Sequence, residues 1–311
     1  MKHILLILLI FCAVTLKAQS YVDPVMKYAP YRFVWIENGK TTMKETEVAV
    51  KEYLYYLSEL LKDSTVGKFV NAIPESLYPY YDLDGKISEF NKAKFEAANN
   101  FTNHKSKNNP YEKPVVNVSY EQATNYALWC TFFGNKWLAS QKGYAKQIVL
   151  FRLPTADEYK KIAADGIKKL AEDEWYIKKH FEVEKWMNDC TNGHGCSLCN
   201  YALTTTGTLE CDVIMESMYG KNVLYPVAVF FSDGYGLYDL QGNAAEMILN
   251  TNEAFGGSYK DNIENCSLTS IQSYSSPQPW LGFRLIGEVV PVDGKDVYFD
   301  NNDDLHIKGI R

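Results

Sequence analysis

Two stretches of this 311-residue chain carry residue types whose spacing could do chemistry. The first is Asp239-Leu240-Gln241-Gly242-Asn243-Ala244-Ala245-Glu246, in which two carboxylates flank a glycine-containing turn with main-chain carbonyls between them. Oxygen donors of that kind suit a hard cation such as calcium, while the structural alternative has Asp239 and Glu246 capping backbone N–H groups of the turn. The second is Gly256-Gly257-Ser258-Tyr259-Lys260-Asp261-Asn262-Ile263-Glu264-Asn265-Cys266, a Gly-Gly turn followed by a carboxylate and a thiol. Soft ions prefer thiolates and hard ions prefer carboxylates, so Asp261 with Cys266 makes a poor site for a soft metal. Ser258 either lines a pocket or hydrogen-bonds within the turn.

The cysteines add a third grouping. Cys190, Cys196, Cys199 and Cys211 lie close together around a Cys-x-x-Cys pair, with His194 among them. They predict either two local disulfides stapling a loop or a thiolate zinc site, although the spacing is not that of a standard zinc ribbon. Cys266 is either a residual redox thiol or a buried cysteine, with Cys130 as a candidate disulfide partner. Other chemistries find no support. The five histidines form no His-Glu-x-x-His pattern, and neither a Gly-x-Ser-x-Gly nucleophile turn nor a Gly-rich phosphate loop is present. Asp157 and Glu158 are adjacent, so on a helix they face different directions and are read as N-terminal helix charges rather than an acid–base pair.

The elements that must position these residues follow from pattern. Met1-Lys2-His3, an apolar run from Ile4 to Leu16 and a polar Lys17-Ala18-Gln19-Ser20 predict a signal peptide over residues 1–18. Phe11 stands before Cys12 where lipidation would need a small residue, so the expected product is exported, without a lipid anchor or transmembrane segment. A net charge of -6 with no basic cluster argues against nucleic-acid binding. Tyr31 to Ile36 reads as a strand, Glu45 to Leu57 as a helix, and Pro114 to Ser119 as a short strand. Ser119 with Gln122 and Thr155 with Glu158 are capping boxes that open two further helices. Residues 63–113 are polar and proline-punctuated, a surface excursion in which Asp82 to Ile87 reads as a plain turn. A charged helix spans Ile167 to Glu184. Short strands and turns follow Tyr225, so the fold class is α+β and loop-rich.

Several phrases in fixed order resemble a known family: Glu47-Val48, Phe151-Arg152-Leu153-Pro154-Thr155, Gly236-Leu237-Tyr238-Asp239 running on through Glu246, Phe255-Gly256-Gly257-Ser258-Tyr259, and Leu281-Gly282-Phe283-Arg284. Together they are similar to the formylglycine-generating enzymes, or sulfatase-modifying factors. The resemblance covers residues 30–287, with insertions at 63–113 and 185–212 and a C-terminal tail at 288–311, and implies a C-type-lectin-like fold. It also implies calcium bound by the side chains of Asp239 and Glu246 and the carbonyls of Gly242 and Ala244. Family enzymes hold copper through two cysteines after the Gly-Gly-Ser-Tyr phrase. Here Asp261 takes the first position and only Cys266 remains. Ala245 replaces a usual tryptophan, Ala49 a usual threonine, and Ser267 to Gln272 lacks an arginine-rich run. The resemblance therefore implies two readings. One is a binding or assembly protein without the oxidase centre, like gliding-motility and type IX secretion relatives, acting on a protein partner the sequence does not name. The other is a copper-dependent formylglycine-generating oxidase acting on a sulfatase cysteine through Cys266. A lectin-like ligand pocket near Ser258 and Trp280 is a third.

Overall fold

The computed structural model describes residues 32–63, 66–75, 77, 109–139, 147–173, 182–192, 194–203, 210–291, 297–299 and 305–307. The expected signal peptide, most of the 63–113 stretch including the turn expected at Asp82, and part of the C-terminal tail lie outside them.

An antiparallel sheet forms the spine. Strands β1 (Phe33–Glu37), β2 (Thr41–Lys44), β3 (Gln147–Arg152) and β8 (Ile286–Pro291) lie in the order β1-β2-β8-β3. Strand β8 thus sits between β2 and β3, and the sheet runs past the boundary expected at residue 287. A second sheet joins β4 (Ala245–Met247), β5 (Glu253–Phe255), β6 (Ile271–Ser273) and β7 (Leu281–Gly282) in the order β6-β5-β4-β7, with β4 and β7 parallel. Strands β9 (Val297–Phe299) and β10 (Leu305–Ile307) pair with each other.

Helix α1 (Val50–Asp63) starts later than its apolar spacing predicts, because Glu52 reaches back to accept a 2.7 Å hydrogen bond from the Ala49 N–H. Its Tyr53 and Tyr56 interlock with Tyr126 of helix α3 (Tyr120–Ala139), and the Tyr53 and Tyr126 rings stack 5.4 Å apart. A short helix α2 (Val66–Ala72) lies between them in sequence. Tyr120 follows the predicted capping box: Ser119 N–H donates to Gln122 Oε1 at 2.9 Å, and the Gln122 N–H donates to Ser119 Oγ at 3.1 Å. The same reciprocal pair forms between Thr155 and Glu158 at the start of helix α4 (Ala156–Asp173). Glu158 also binds Arg152 through two hydrogen bonds of 2.7 and 2.8 Å, which confirms its structural role.

The strand predicted from Pro114 to Ser119 does not form. Only an isolated bridge links Ala49 to Pro114, and Asn117 takes a left-handed φ of 57° that breaks extension. Val115 is buried nonetheless, its N–H donating to the Val48 carbonyl at 2.8 Å. Helix α5 (Val183–Asp189) ends on Cys190 in the left-handed region, and α6 (Glu210–Tyr219) follows the cysteine loop. Two apolar clusters fill the interior. One holds Tyr53, Tyr126, Cys130 and Phe283 beneath α1 and α3, and the other holds Tyr159, Trp186, Cys190, Cys199, Phe255 and Cys266 beneath α4 and α5. None of the described helices is long and apolar enough to cross a membrane.

Candidate functional site

The turn ahead of β4 and the loop after β5 lie back to back, joined by Gly242 N–H donating to Gly256 O at 2.8 Å and Tyr259 N–H to Asn243 O at 3.0 Å. The charge on the first turn is neutralised from within the chain. Arg284 is wholly buried, and its Nε and Nη2 donate to both carboxylate oxygens of Glu246 at 2.7 to 3.0 Å. The rest of the guanidinium donates to the carbonyls of Lys44, Glu45 and Tyr238. Glu246 therefore faces a cation already, in the bidentate geometry that arginine favours.

Asp239 adopts a φ of 54° and accepts a 2.6 Å hydrogen bond at Oδ2 from the Ala228 N–H, a backbone cap of the kind the sequence left open. Burial pushes its carboxyl up to about 6. Glu47 is buried beside it. Desolvation first and the charge of Asp239 second push Glu47 well above the usual carboxylate range. Asn243 completes the centre, with Nδ2 donating to Glu47 Oε1 at 2.9 Å and Oδ1 accepting from Asn200 Nδ2 and the Tyr225 N–H, both at 3.0 Å. Gly242 and Ala244 form the backbone between these side chains, and Ala245 N–H donates to Trp280 O at 2.9 Å.

Of the calcium donors that the resemblance implies, Glu246 is paired with Arg284 and Asp239 accepts from the Ala228 N–H in this structure. Chelator treatment is expected to leave Tm unchanged, and added calcium to leave it unchanged too. A concentration-dependent rise in Tm with calcium would instead place the ion at this turn.

A second buried carboxylate stands nearby. Asp233 Oδ1 accepts from the Tyr235 and Leu237 N–H groups at 2.9 Å, while Oδ2 has no hydrogen-bond partner among the described residues. It lines a small cavity with Asp239, Gln241 and Trp186. Burial raises its carboxyl from 3.8 to about 6. The folded state therefore binds more protons than the unfolded one between these values, and stability from this group falls as pH rises through that window. Asp233→Asn keeps the acceptor at Oδ1 and removes the charge. It is expected to raise stability near neutral pH by up to ~3 kcal/mol and to weaken the decline across the window, as read by urea unfolding over a pH series. An unchanged slope would exclude Asp233 as its source.

The Gly-Gly loop is equally well tied. Ser258 is buried, and its Oγ donates to Asp261 Oδ2 at 2.6 Å, where Gln272 Nε2 also donates at 3.2 Å. Ser258 thus serves the turn instead of lining a pocket beside Trp280. Cys266 closes a 3-10 turn (Ile263–Cys266), with its Sγ 3.7 Å from the Ser258 carbonyl. Its thiol hydrogen-bonds with Cys199. That bond, burial and the charge of nearby Asp261 push it far above the ordinary thiol range. While Cys199 stands reduced beside it, that thiol stays protonated and is not a ready metal ligand.

The cysteine loop holds one of the two local disulfides expected. One disulfide forms, Cys196 to Cys211, which removes two sulfurs from the zinc set expected across Cys190 to Cys211. Cys190 and Cys199 remain thiols, and no group of three or more His, Cys, Asp or Glu among the described residues could hold a metal. Cys130 lies in the other apolar cluster, away from Cys266, so that pairing does not occur. Sequence reasoning missed that Cys199 stands against Cys266, that Gln272 partners Asp261, and that Arg284 is the internal counter-ion.

A comparison with known families decides the kinship. The model of the Sulfatase-modifying factor enzyme 1-like domain matches residues 20–289. The chain belongs to that family. Solved structures similar to this chain include CarF, 19% identical over 81% of this chain and 87% of that one, with a TM-score of 0.44. PvdO from Pseudomonas aeruginosa is 13% identical over 80% of each chain, with a TM-score of 0.43. Treponema denticola variable protein 1 is 15% identical, covering 80% of this chain and 84% of that one, with a TM-score of 0.41. No curated protein matches. In this sulfatase-modifying-factor domain the Gly-Gly-Ser-Tyr loop carries a hydrogen-bonded carboxylate at position 261, and Arg284 pairs with Glu246 in the interior.

Proposed function

We propose that this protein is an exported sulfatase-modifying-factor domain without the copper oxidase centre, acting by binding a protein partner in an envelope assembly of the gliding-motility or type IX secretion kind. The observation that carries this reading is Asp261, whose carboxylate is engaged by Ser258 and Gln272 where a family oxidase would present a thiolate. A hard, hydrogen-bonded carboxylate gives copper(I) no soft ligand there. The disulfide between Cys196 and Cys211 is consistent with an oxidising compartment and supports export.

A second reading, the copper oxidase, is favoured by one specific contact: Cys199 lies against Cys266 and supplies a second sulfur from a different loop. Anaerobic copper(I) titration of the purified protein, followed by oxygen and a Cys-x-Pro-x-Arg peptide, separates the two. The binding role predicts no stoichiometric copper and no formylglycine by mass spectrometry. One-to-one copper with peptide conversion, both lost in Cys266→Ser, would establish the oxidase.

A further inference from the structure

Three thiols from three parts of the chain meet in the apolar cluster beneath α5. Cys190 closes α5, and Leu198 N–H donates to its carbonyl at 2.8 Å while Thr191 bridges Ser197, so the loop folds back to lay Cys199 beside it. Cys266 arrives from the Gly-Gly loop. The Gln241 side-chain amide fastens it to α5 by donating to the carbonyls of Cys266, at 2.9 Å, and Trp186, at 3.2 Å. Leu268 N–H adds a bond to Met187 O. All three thiols are buried, and Cys199 hydrogen-bonds with both Cys190 and Cys266.

The neighbouring Cys196 is already in a disulfide. With Cys199 beside both Cys190 and Cys266, only one of the two disulfides can form at a time, and the thiol left over then rests against a sulfur it can attack.

We propose that Cys199 is a shared redox centre that pairs with either Cys190 or Cys266, so that an internal exchange decides whether the cysteine loop is tied to α5 or to the Gly-Gly-Ser loop. Formation consumes two thiols and one external disulfide of the thiol-oxidoreductase or glutathione class. Two electrons and two protons pass to the donor, which leaves as two thiols. The exchange itself needs no co-reactant: the free Cys266 thiolate attacks Cys199 Sγ, the Cys199–Cys266 bond forms, the Cys190–Cys199 bond breaks, and Cys190 leaves as a thiolate that takes up the proton Cys266 gave up. With the bond on Cys190 the Cys266 thiol is free, and with the bond on Cys266 it is blocked.

The inference does not depend on the proposed binding role, and its test reads linkages rather than copper or conversion. The purified protein is incubated with oxidised glutathione, quenched in acid, alkylated under denaturing conditions and digested without reduction for disulfide mapping. Expected are an intact Cys196–Cys211 linkage, complete loss of alkylation at Cys199, and partial alkylation at both Cys190 and Cys266. Cys190→Ala is expected to move the whole linkage to Cys266, and Cys266→Ala to move it to Cys190. Full alkylation of Cys199 in the wild-type protein would overturn the proposal, as would a single linkage with its third cysteine fully alkylated. The wild-type map alone decides the matter should either variant fail to fold.

Discussion

Arg284→Met is expected to cost about 5 kcal/mol or to prevent folding altogether, because it strands buried carboxylates that one guanidinium now serves. Glu246 loses every hydrogen bond it receives from Arg284, and Glu47 and Asp239 lose the positive charge that favours their ionised forms. Three carbonyls on the β2 end and the turn also lose their donor. A loss of that size is a large share of the ~5–15 kcal/mol by which domains are usually stable. Arg284→Lys is expected to recover little, since an ammonium cannot present the same fork to Glu246 and three carbonyls at once. Urea unfolding of Arg284→Met, Glu246→Leu and the double variant gives the check. The double variant should be less destabilised than the sum of the single ones, because removing both charges removes the stranded carboxylate. A loss below ~1 kcal/mol for Arg284→Met would show that the carboxylates are stabilised by something else.

The second large effect is expected at Gly257. Its φ is +70°, and a β-carbon there would stand 2.3 Å from the Asn265 carbonyl oxygen and 2.9 Å from the Cys266 Cα. Both obstacles are backbone, so relief requires moving the turn that carries Cys266. Gly257→Ala is expected to cost about 3 kcal/mol, the sum of left-handed strain and overpacking. Gly39 provides the control: its φ is +75° but nothing lies within 4 Å of an added β-carbon, so Gly39→Ala should cost only the strain, about 1 kcal/mol. Urea midpoints compare the two. Amide hydrogen exchange should also quicken from Ser258 to Cys266 in Gly257→Ala alone, and equal costs at both glycines would refute the steric argument.

These two sites give the Gly-Gly-Ser-Tyr and Gly-Phe-Arg phrases their structural roles in this chain. Gly257 lets the loop approach the Cys266 turn, and Arg284 holds the adjoining carboxylate turn closed against β2. Both are supports for geometry. The residue that would do family chemistry, at position 261, is instead absorbed into the hydrogen bonds of its own loop.

Local chemistry was fully legible in the amino-acid sequence. Both capping boxes and the first strand follow from residues a few positions apart, where spacing alone sets geometry, and the family follows from phrases in fixed order. The substitution of Asp261 for a thiol was equally plain. Tertiary structure decided everything that depends on residues far apart in the chain. Arg284 meets Glu246 across 38 positions and the β2 carbonyls across about 240, so no window of sequence could show that the turn carries its own cation. The strand expected before Ser119 failed because pairing stops at the isolated bridge of Ala49 with Pro114, where Val115 donates to the Val48 carbonyl, and Asn117 then turns the chain away. Pairing among cysteines is set by which sulfurs the packed core brings within reach, and that placed Cys130 in one cluster and Cys199 against Cys266 in the other.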